Sequence, residues 1–462
     1  MLYSSTRGKD NNLKFTEVLL NGLAKDGGLY VPNKIPQLSK EKIESFRGLK
    51  YSDLVYEVTK CFVDSDQIPR KAYKKICKKT YDKVFGKKII SIKKLNKKEY
   101  LLNLFHGPTF AFKDYALQLL GNIYDYVLSA KNIQLTILGA TSGDTGSAAI
   151  YGCSKSKNIR MFILFPEGKV SEVQRKQMTT LKKSNVTNIA VKGNFDDCQR
   201  LVKDLFKLNN RNKMFNLAAI NSINWVRIMG QVVYYFWSFL TVQKGFRPMN
   251  FVVPTGNFGN VYAGYISKLM GLPIDQFIVS SNKNDILTRF FLTGEMEVRK
   301  TLQSISPSMD IQISSNFERL LFFFLGNGNQ IRRLFSDLDC SGSFKVSGKI
   351  MKKISDSFKA GKLNDKETLQ TIKYVYDKYG IIIDPHTAVG FAVGKKHLGQ
   401  FKKNIYLATA HYGKFLHSVR QSIPRDLKYP PALKSVLNKE ENFELIENDL
   451  KQLQDLMVQK SS

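Results

Sequence analysis

Six short apolar runs set the architecture of this chain. QLTILGA (134–140), RMFILFP (160–166), VTNIAVKG (186–193), NFVVP (250–254), QFIVSS (276–281) and NIYLATAH (404–411) each close on a glycine, a proline or a polar turn. The runs are continuous in Val, Ile, Leu and Phe, which is the pattern of strands covered on both faces. Stretches such as 170–183 and 196–209, lying between runs, have the length and composition of helices. Strands alternating with helices in this way indicate βα units around a mainly parallel sheet, an α/β fold class. Ligands of such sheets bind beyond the carboxyl ends of the strands, so the turns after the runs are where chemistry is expected.

The remainder divides around these runs. Residues 1–92 read as a small helical N-terminal unit, in which FTEVLLNGLAKDGG is a helix and its stop and 40–90 holds lysine-rich helical patterns. An α/β domain is expected over 93–240 and a second over 241–462, the latter with a helical insertion at about 286–350 that packs Phe322, Phe323 and Phe324 into the core. Residues 367–398 read as helix, turn, helix. The richest apolar stretch, IMGQVVYYFWSFLTV from Ile228, includes Gln231 and is too short for a membrane span, so a buried helix is expected. The opening MLYSSTRGKDNN has no apolar h-region of a secretory signal. Five scattered cysteines without a CxxC pair indicate reduced thiols and a cytoplasmic protein.

The formal charge of +32, from 71 Lys and Arg against 39 Asp and Glu, would by itself point to nucleic acid. The basic residues are spread over most of the chain rather than gathered in a stripe, so no specific nucleic-acid partner is expected.

Three turns carry the chemistry. In HGPTFAFKDYALQLLG (106–121), Lys113 lies between Phe112 and Asp114 at the start of a helical pattern. A lysine in apolar surroundings loses proton affinity and becomes a base or a carbonyl-trapping amine. In PTGNFGNVYAGYISKLMG, the turn Gly256, Asn257, Phe258, Gly259 and Asn260 lies between a strand and a helix, a cradle of backbone N–H groups for a phosphate. It matches neither GxGxxG nor GxxxxGK[ST]. In TSGDTGSAAIYG, Ser142, Gly143, Asp144, Thr145 and Gly146 repeat the geometry and suit a second anion such as a carboxylate. Two anion nests and an amine suggest a phosphorylated carbonyl cofactor with a carboxylate substrate. His106, His386 and His411 lie in turns, but no spacing marks a metal site.

In order along the chain, YSSTRG at Tyr3, KDGGLYVP, HGPTFAFKD, GATSGDTGSAA, FPEGKVSEVQRKQM, NSINWVRIMGQ, PTGNFGNVYAG, SNKNDIL, DPHTAVG and TAHYGKF at 409–415 resemble the threonine synthases of the longer bacterial and fungal branch. The resemblance covers essentially the whole chain. It implies the fold of type II pyridoxal-phosphate enzymes, similar to the tryptophan synthase β chain, with two open α/β domains and a small helical N-terminal domain. It also implies pyridoxal 5'-phosphate as cofactor and conversion of O-phospho-L-homoserine and water to L-threonine and phosphate. By the same resemblance Lys113 joins the cofactor aldehyde, Gly256 to Asn260 hold its phosphate, and the Thr409 hydroxyl meets the ring nitrogen. Ser142, Gly143, Asp144 and Thr145 would hold the substrate carboxylate, where Asp144 is unfavourable near the ring oxygen unless bonded. Lys169, Ser171, Asn224 and Arg227 are the candidates for the leaving phosphate. One local departure is Tyr412-Gly413, where the family commonly has Pro-Ala; Lys414 and Phe415 are retained.

The resemblance leaves a lyase acting in the cytoplasm as a monomer or homodimer. The N-terminal unit and the 286–350 segment are both candidate lids. Two rival readings are a dehydratase or phospholyase of the same fold and, from another class, a non-catalytic basic binding protein.

Overall fold

The computed structural model describes every residue except 87, 221–222, 398, 400–401 and 462, together with the side chain of 210. Thus Asn221 and Ser222, which open the NSINWVR motif, and Leu398, which ends the 367–398 segment, lie outside the described residues.

The apolar runs become strands of two sheets. The smaller has, in spatial order, Glu444–Ile446, Val186–Val191, Ile159–Pro166, Leu135–Ala140 and Leu217–Ala219, all parallel. The larger runs Phe358–Lys362, Ile274–Ser281, Met249–Pro254, Lys403–Ala408, Glu99–Asn103 and Ser91–Lys94, parallel except for the last pair. Met249–Pro254 is buried at every position, as expected of a strand covered on both faces. Strand pairing crosses the boundary expected at 240 twice. Glu99–Asn103 pairs with Asn404–Ala408, and Glu444–Ile446 pairs with Ile189–Val191. Apolar runs announce strands but not their partners, so each sheet draws on segments far apart in sequence.

Between the sheets lies the helix Trp225–Val242, in which every residue but Trp237 and Thr241 is buried. It packs against the helices Tyr51–Thr59, Lys113–Lys131 and Gly259–Leu269, which explains a helix apolar on all sides. Among the described residues no helix is long and apolar enough to cross a membrane.

A second contact fixes the site. The helices Lys113–Lys131 and Asp144–Cys153 meet backbone to backbone. A Cβ on Gly121 would lie 2.1 Å from the Gly152 carbonyl oxygen, and one on Gly152 would lie 2.4 Å from that of Leu117. Only glycine allows this approach.

The N-terminal unit carries the helices Phe15–Asn21, Lys40–Glu44, Tyr51–Thr59 and Arg70–Val84 beside the antiparallel pair Tyr3–Ser5 and Tyr30–Pro32. The insertion is helical over Ile286–Thr293, Phe317–Leu325 and Gly328–Ser341, and it adds the antiparallel pair Glu295–Glu297 and Ser343–Lys345. Its buried face is Phe317, Leu320 and Leu321 rather than the phenylalanine run. Phe323 is 43% exposed and Phe322 and Phe324 are only half-buried: the first half of the helix, 317–321, is buried on all sides, and the second half runs out along the rim of the core. Thr6 and Arg7 bind the buried Glu318 of this insertion, Arg7 with two bonds of 3.1 and 3.0 Å.

Candidate active site

The loop after Glu99–Asn103 is laced to the end of Lys403–Ala408. Leu104 N–H donates to the Ala408 carbonyl, Phe112 N–H to Thr409 and His411 N–H to Phe110, at 2.9, 2.8 and 3.0 Å. Asp114 folds back on the same loop and accepts the Thr109 N–H and hydroxyl, each at 2.8 Å. Burial pushes the Asp114 carboxyl up to about 7, although the Thr109 bonds act against it. This frame starts the helix at Lys113 and turns its amine inward, with the side chain 12% exposed. Lys113 Nζ lies 3.3 Å from Ser308 Oγ and 3.5 Å from Asp144 Oδ2. Burial lowers its pKa to about 8; Asp144 opposes that shift, while the charges of Lys414 and Arg227 reinforce it.

Asp144 is the centre of the polar contacts. Its Oδ1 accepts from Lys414 Nζ at 2.7 Å and Gln174 Nε2 at 2.9 Å, and its Oδ2 from the Ser308 hydroxyl at 3.0 Å. Burial alone would raise its pKa, but the charges of Lys414 and Lys113 outweigh it and hold the carboxyl well below the carboxylate range. The SGDTG nest is smaller than the sequence implies. Thr141 Oγ1 takes the N–H groups of Gly143 and Gly146, at 2.9 and 2.8 Å. The hydroxyls of Ser142 and Thr145, both half-buried, make no hydrogen bond among the described residues.

At the anion loop, Phe258 sits at φ +60° with its ring buried beside Phe317, Phe291 and Phe358. The ring anchors the turn. The helix Gly259–Leu269 begins with no side-chain cap, so its leading N–H groups are open to an anion. Asn257 is exposed, and its carbonyl is held by Asn316 N–H and Nδ2 at 3.1 and 2.9 Å. Asn260 turns inward, where its Oδ1 accepts the hydroxyls of Tyr234 and Tyr235 and its buried Nδ2 has no partner. A Cβ on Gly256 would lie 2.5 Å from the Ser308 carbonyl oxygen. The Ser308 segment therefore bridges the anion loop and Lys113.

The four candidates for a leaving phosphate separate. Arg227 is buried, with Nε and Nη1 unpartnered, and burial lowers its pKa to about 10. Asn224 is committed to packing: Oδ1 caps the central helix through Val226 N–H at 3.1 Å, and Nδ2 donates to the Leu19 carbonyl at 3.0 Å. Lys169 and Ser171 are exposed, and Ser171 caps the helix Glu172–Thr179 that carries Gln174. Thr409 is buried, and its hydroxyl has no hydrogen bond among the described residues.

Lys414, Gln174, Ser308 and the pair Asp384–His386 enter the site without having been assigned roles. Lys414 and His386 stood in the motifs TAHYGKF and DPHTAVG, which was the only signal available; nothing in SPSM marks Ser308. His106 and His411 do not reach Lys113's neighbours. His106 Nε2 meets Ser91 Oγ at 2.7 Å, His411 packs on Phe105, Phe110 and Tyr412, and burial lowers both to about 4. Among the described residues no group of three His, Cys, Asp or Glu could hold a metal.

A buried amine with weakened proton affinity, an uncapped helix head beside it and an unbonded hydroxyl at Thr409 fit a phosphorylated aldehyde with a ring nitrogen. Three family models match the chain: threonine synthase N terminus over residues 2–81, pyridoxal-phosphate dependent enzyme over 88–324, and threonine synthase, C-terminal over 387–457. A threonine synthase from Pseudomonas aeruginosa is 44% identical over 99% of this chain and 98% of its own length. The crystal structure of pyridoxal-phosphate-bound threonine synthase from Brucella melitensis superposes with a TM-score of 0.96 at 43% identity, covering 100% of this chain and 99% of that one. That of yeast threonine synthase gives 0.93 at 36% identity, covering 100% and 98%. With the arrangement around Lys113 and matches that span the chain, the protein belongs to the threonine synthase family of pyridoxal-phosphate-dependent enzymes.

Proposed function

We propose that this chain converts O-phospho-L-homoserine and water to L-threonine and inorganic phosphate. The observation that carries the choice of a phosphorylated substrate is Arg227, a buried guanidinium with two unpartnered N–H positions in electrostatic reach of Lys113. An arginine buried without a partner is costly unless a ligand completes it. A phosphate monoester does so by paired charge-assisted hydrogen bonds. A dehydratase of the same fold releases no phosphate and gives Arg227 no task.

Bound pyridoxal phosphate would supply an electron-accepting ring that lets protons leave Cα and then Cβ of the substrate. Lys113 holds and moves those protons, first at Cα and then at Cβ, for which an amine poised near neutrality is suited. Gly256, Asn257, Phe258, Gly259 and Asn260 would hold the cofactor phosphate at the uncapped helix head, and Thr409 would offer its unbonded hydroxyl to the ring nitrogen. The unbonded hydroxyls of Ser142 and Thr145 bind the substrate carboxylate, while Gly143, whose N–H is taken by Thr141, shapes the turn between them. Asp144, neutralised by Lys414, keeps its own charge away from that carboxylate. Arg227 binds the phosphate as it leaves Cγ and stabilises the added charge. Asn224 acts indirectly by capping the helix that presents Arg227, and Lys169 and Ser171 act from the exposed turn before Gln174. The bonds from Thr6 and Arg7 to Glu318 tie the N-terminal unit to the insertion, so closure over the site carries both together. The thiols at 61, 77, 153, 198 and 340 are all unpaired, which favours action in the cytoplasm.

The test is to incubate the holoenzyme with O-phospho-L-homoserine and measure products. Threonine and phosphate in equal amounts are expected. Phosphate accompanied by 2-oxobutyrate in place of threonine would establish the lyase alternative.

A further inference from the structure

The segment from Ser304 to Asp310 enters the site with only the short turn Pro307–Met309 as regular structure, yet it is bonded at both ends. Asp310 Oδ1 accepts from Ser304 Oγ and Asn282 Nδ2 at 2.6 and 2.7 Å, and its Oδ2 accepts Ser304 N–H at 2.9 Å. Ser308 at the tip is fixed through its backbone as well. Its N–H donates to His386 Nε2 at 3.2 Å, and its carbonyl lies against Gly256. Because Nε2 accepts, the ring proton sits on Nδ1, where Asp384 Oδ2 receives it at 2.7 Å. Asp384 is fully buried and takes a further bond from the Thr387 hydroxyl.

This leaves the Ser308 hydroxyl with one orientation. It donates to Asp144 Oδ2 at 3.0 Å, so its lone pairs face Lys113 Nζ at 3.3 Å. A lysine amine on a flexible stem moves protons well only if its freed nitrogen is held within reach of the reacting carbons. Asp144 cannot hold it alone: at 3.5 Å it is beyond good hydrogen-bond range, and its other oxygen is occupied by Lys414 and Gln174. We propose that Ser308 is a catalytic residue whose hydroxyl receives the Lys113 amine whenever that amine is not joined to the cofactor, and that Asp384 and His386 are positioning residues that fix this hydroxyl. The proposal rests on the reading of Lys113 as the proton carrier.

The test uses the holoenzyme and three variants: Ser308→Ala, Ser308→Thr and His386→Leu. In Ser308→Ala the visible absorption of the bound cofactor and its retention through gel filtration stay as in the wild type, because Lys113 and the backbone over Gly256 are untouched. Its kcat for threonine formation falls by about tenfold to a hundredfold, the loss expected for one hydrogen bond to a charged group, with KM changed by less than about twofold. The isotope effect from α-deuterated substrate rises in the same variant. Ser308→Thr, which keeps the hydroxyl, stays within about threefold of wild type. His386→Leu lowers kcat alone but adds less than about twofold when Ser308 is already alanine, since both act through one contact. Wild-type kcat in Ser308→Ala overturns the proposal, as does loss of cofactor in proportion to activity or a full multiplicative effect in the double variant. A wild-type enzyme that makes no threonine would instead overturn the proposed reaction.

Discussion

Lys414 Nζ lies 2.7 Å from Asp144 Oδ1, with the lysine side chain wholly buried and the aspartate nearly so. Lys414 also donates to the Thr109 carbonyl at 2.8 Å, in the loop that Asp114 closes and from which Lys113 projects. One ammonium thus joins the last loop of the larger sheet, the SGDTG turn of the smaller sheet and the lysine loop. Lys414→Met leaves Asp144 buried with its principal partner gone. Breaking a buried pair from one side costs about 3–5 kcal/mol. Denaturant unfolding is expected to show that loss, and Lys414→Met combined with Asp144→Asn is expected to recover much of it, because the uncompensated charge has been removed.

Arg227 makes the opposite prediction for stability. Its buried Nε and Nη1 have no partners, so Arg227→Met removes a desolvated charge and keeps the apolar stem. The variant is expected to unfold at an equal or higher denaturant concentration. Its kcat/KM for O-phospho-L-homoserine is expected to fall by roughly 10²–10³, the scale for losing one preorganised donor to developing charge. Stability and activity moving in opposite directions would separate a ligand-binding arginine from a structural one.

Gly121 has no polar group, yet it sets the distance between Lys113 and Asp144. A methyl group there would meet the Gly152 carbonyl oxygen at 2.1 Å, so Gly121→Ala must push the two helices apart. Overpacking of this kind costs about 1–3 kcal/mol. Activity is expected to drop further than the stability loss explains, which parallel unfolding and steady-state assays would show.

Asp114 gives a pH signature. Burial raises its folded pKa to about 7, above the unfolded value of about 3.9. Between those values the folded state binds the extra proton, so this group's contribution favours folding at acid pH and is lost as pH rises from about 4 to about 7. Asp114→Asn removes that dependence. The difference in unfolding free energy between wild type and variant is expected to slope across this window and to be flat above it.

Six strands were legible because continuous apolar runs have few alternatives, whereas Glu99–Asn103, Leu217–Ala219, Phe358–Lys362 and Glu444–Ile446 are too short or too polar to stand out. The turns that hold Lys113 and Gly256–Asn260 were legible because they are dense in special residues. The partners were not. Nothing in EYLLN, 99–103, marks a strand that joins Lys403–Ala408 rather than Leu135–Ala140, since pairing is decided by packing of segments distant in sequence. Ser308 was invisible for the same reason: an ordinary serine in a serine-rich segment gains its meaning only from His386 behind it and Lys113 in front. Asn224 shows the converse. A polar residue in a strong motif looked like a ligand, and its hydrogen bonds turn out to hold a helix end and the Leu19 carbonyl.

The proposed chemistry needs one nitrogen atom, that of Lys113, to carry the cofactor. Reducing the holoenzyme with borohydride fixes the cofactor to whichever lysine holds it, and peptide mass spectrometry then locates the added mass. The predicted result is a single phosphopyridoxyl group on the peptide containing Lys113 and none when Lys113 is alanine. A label on a different lysine, or an equal label in the Lys113→Ala protein, would contradict it.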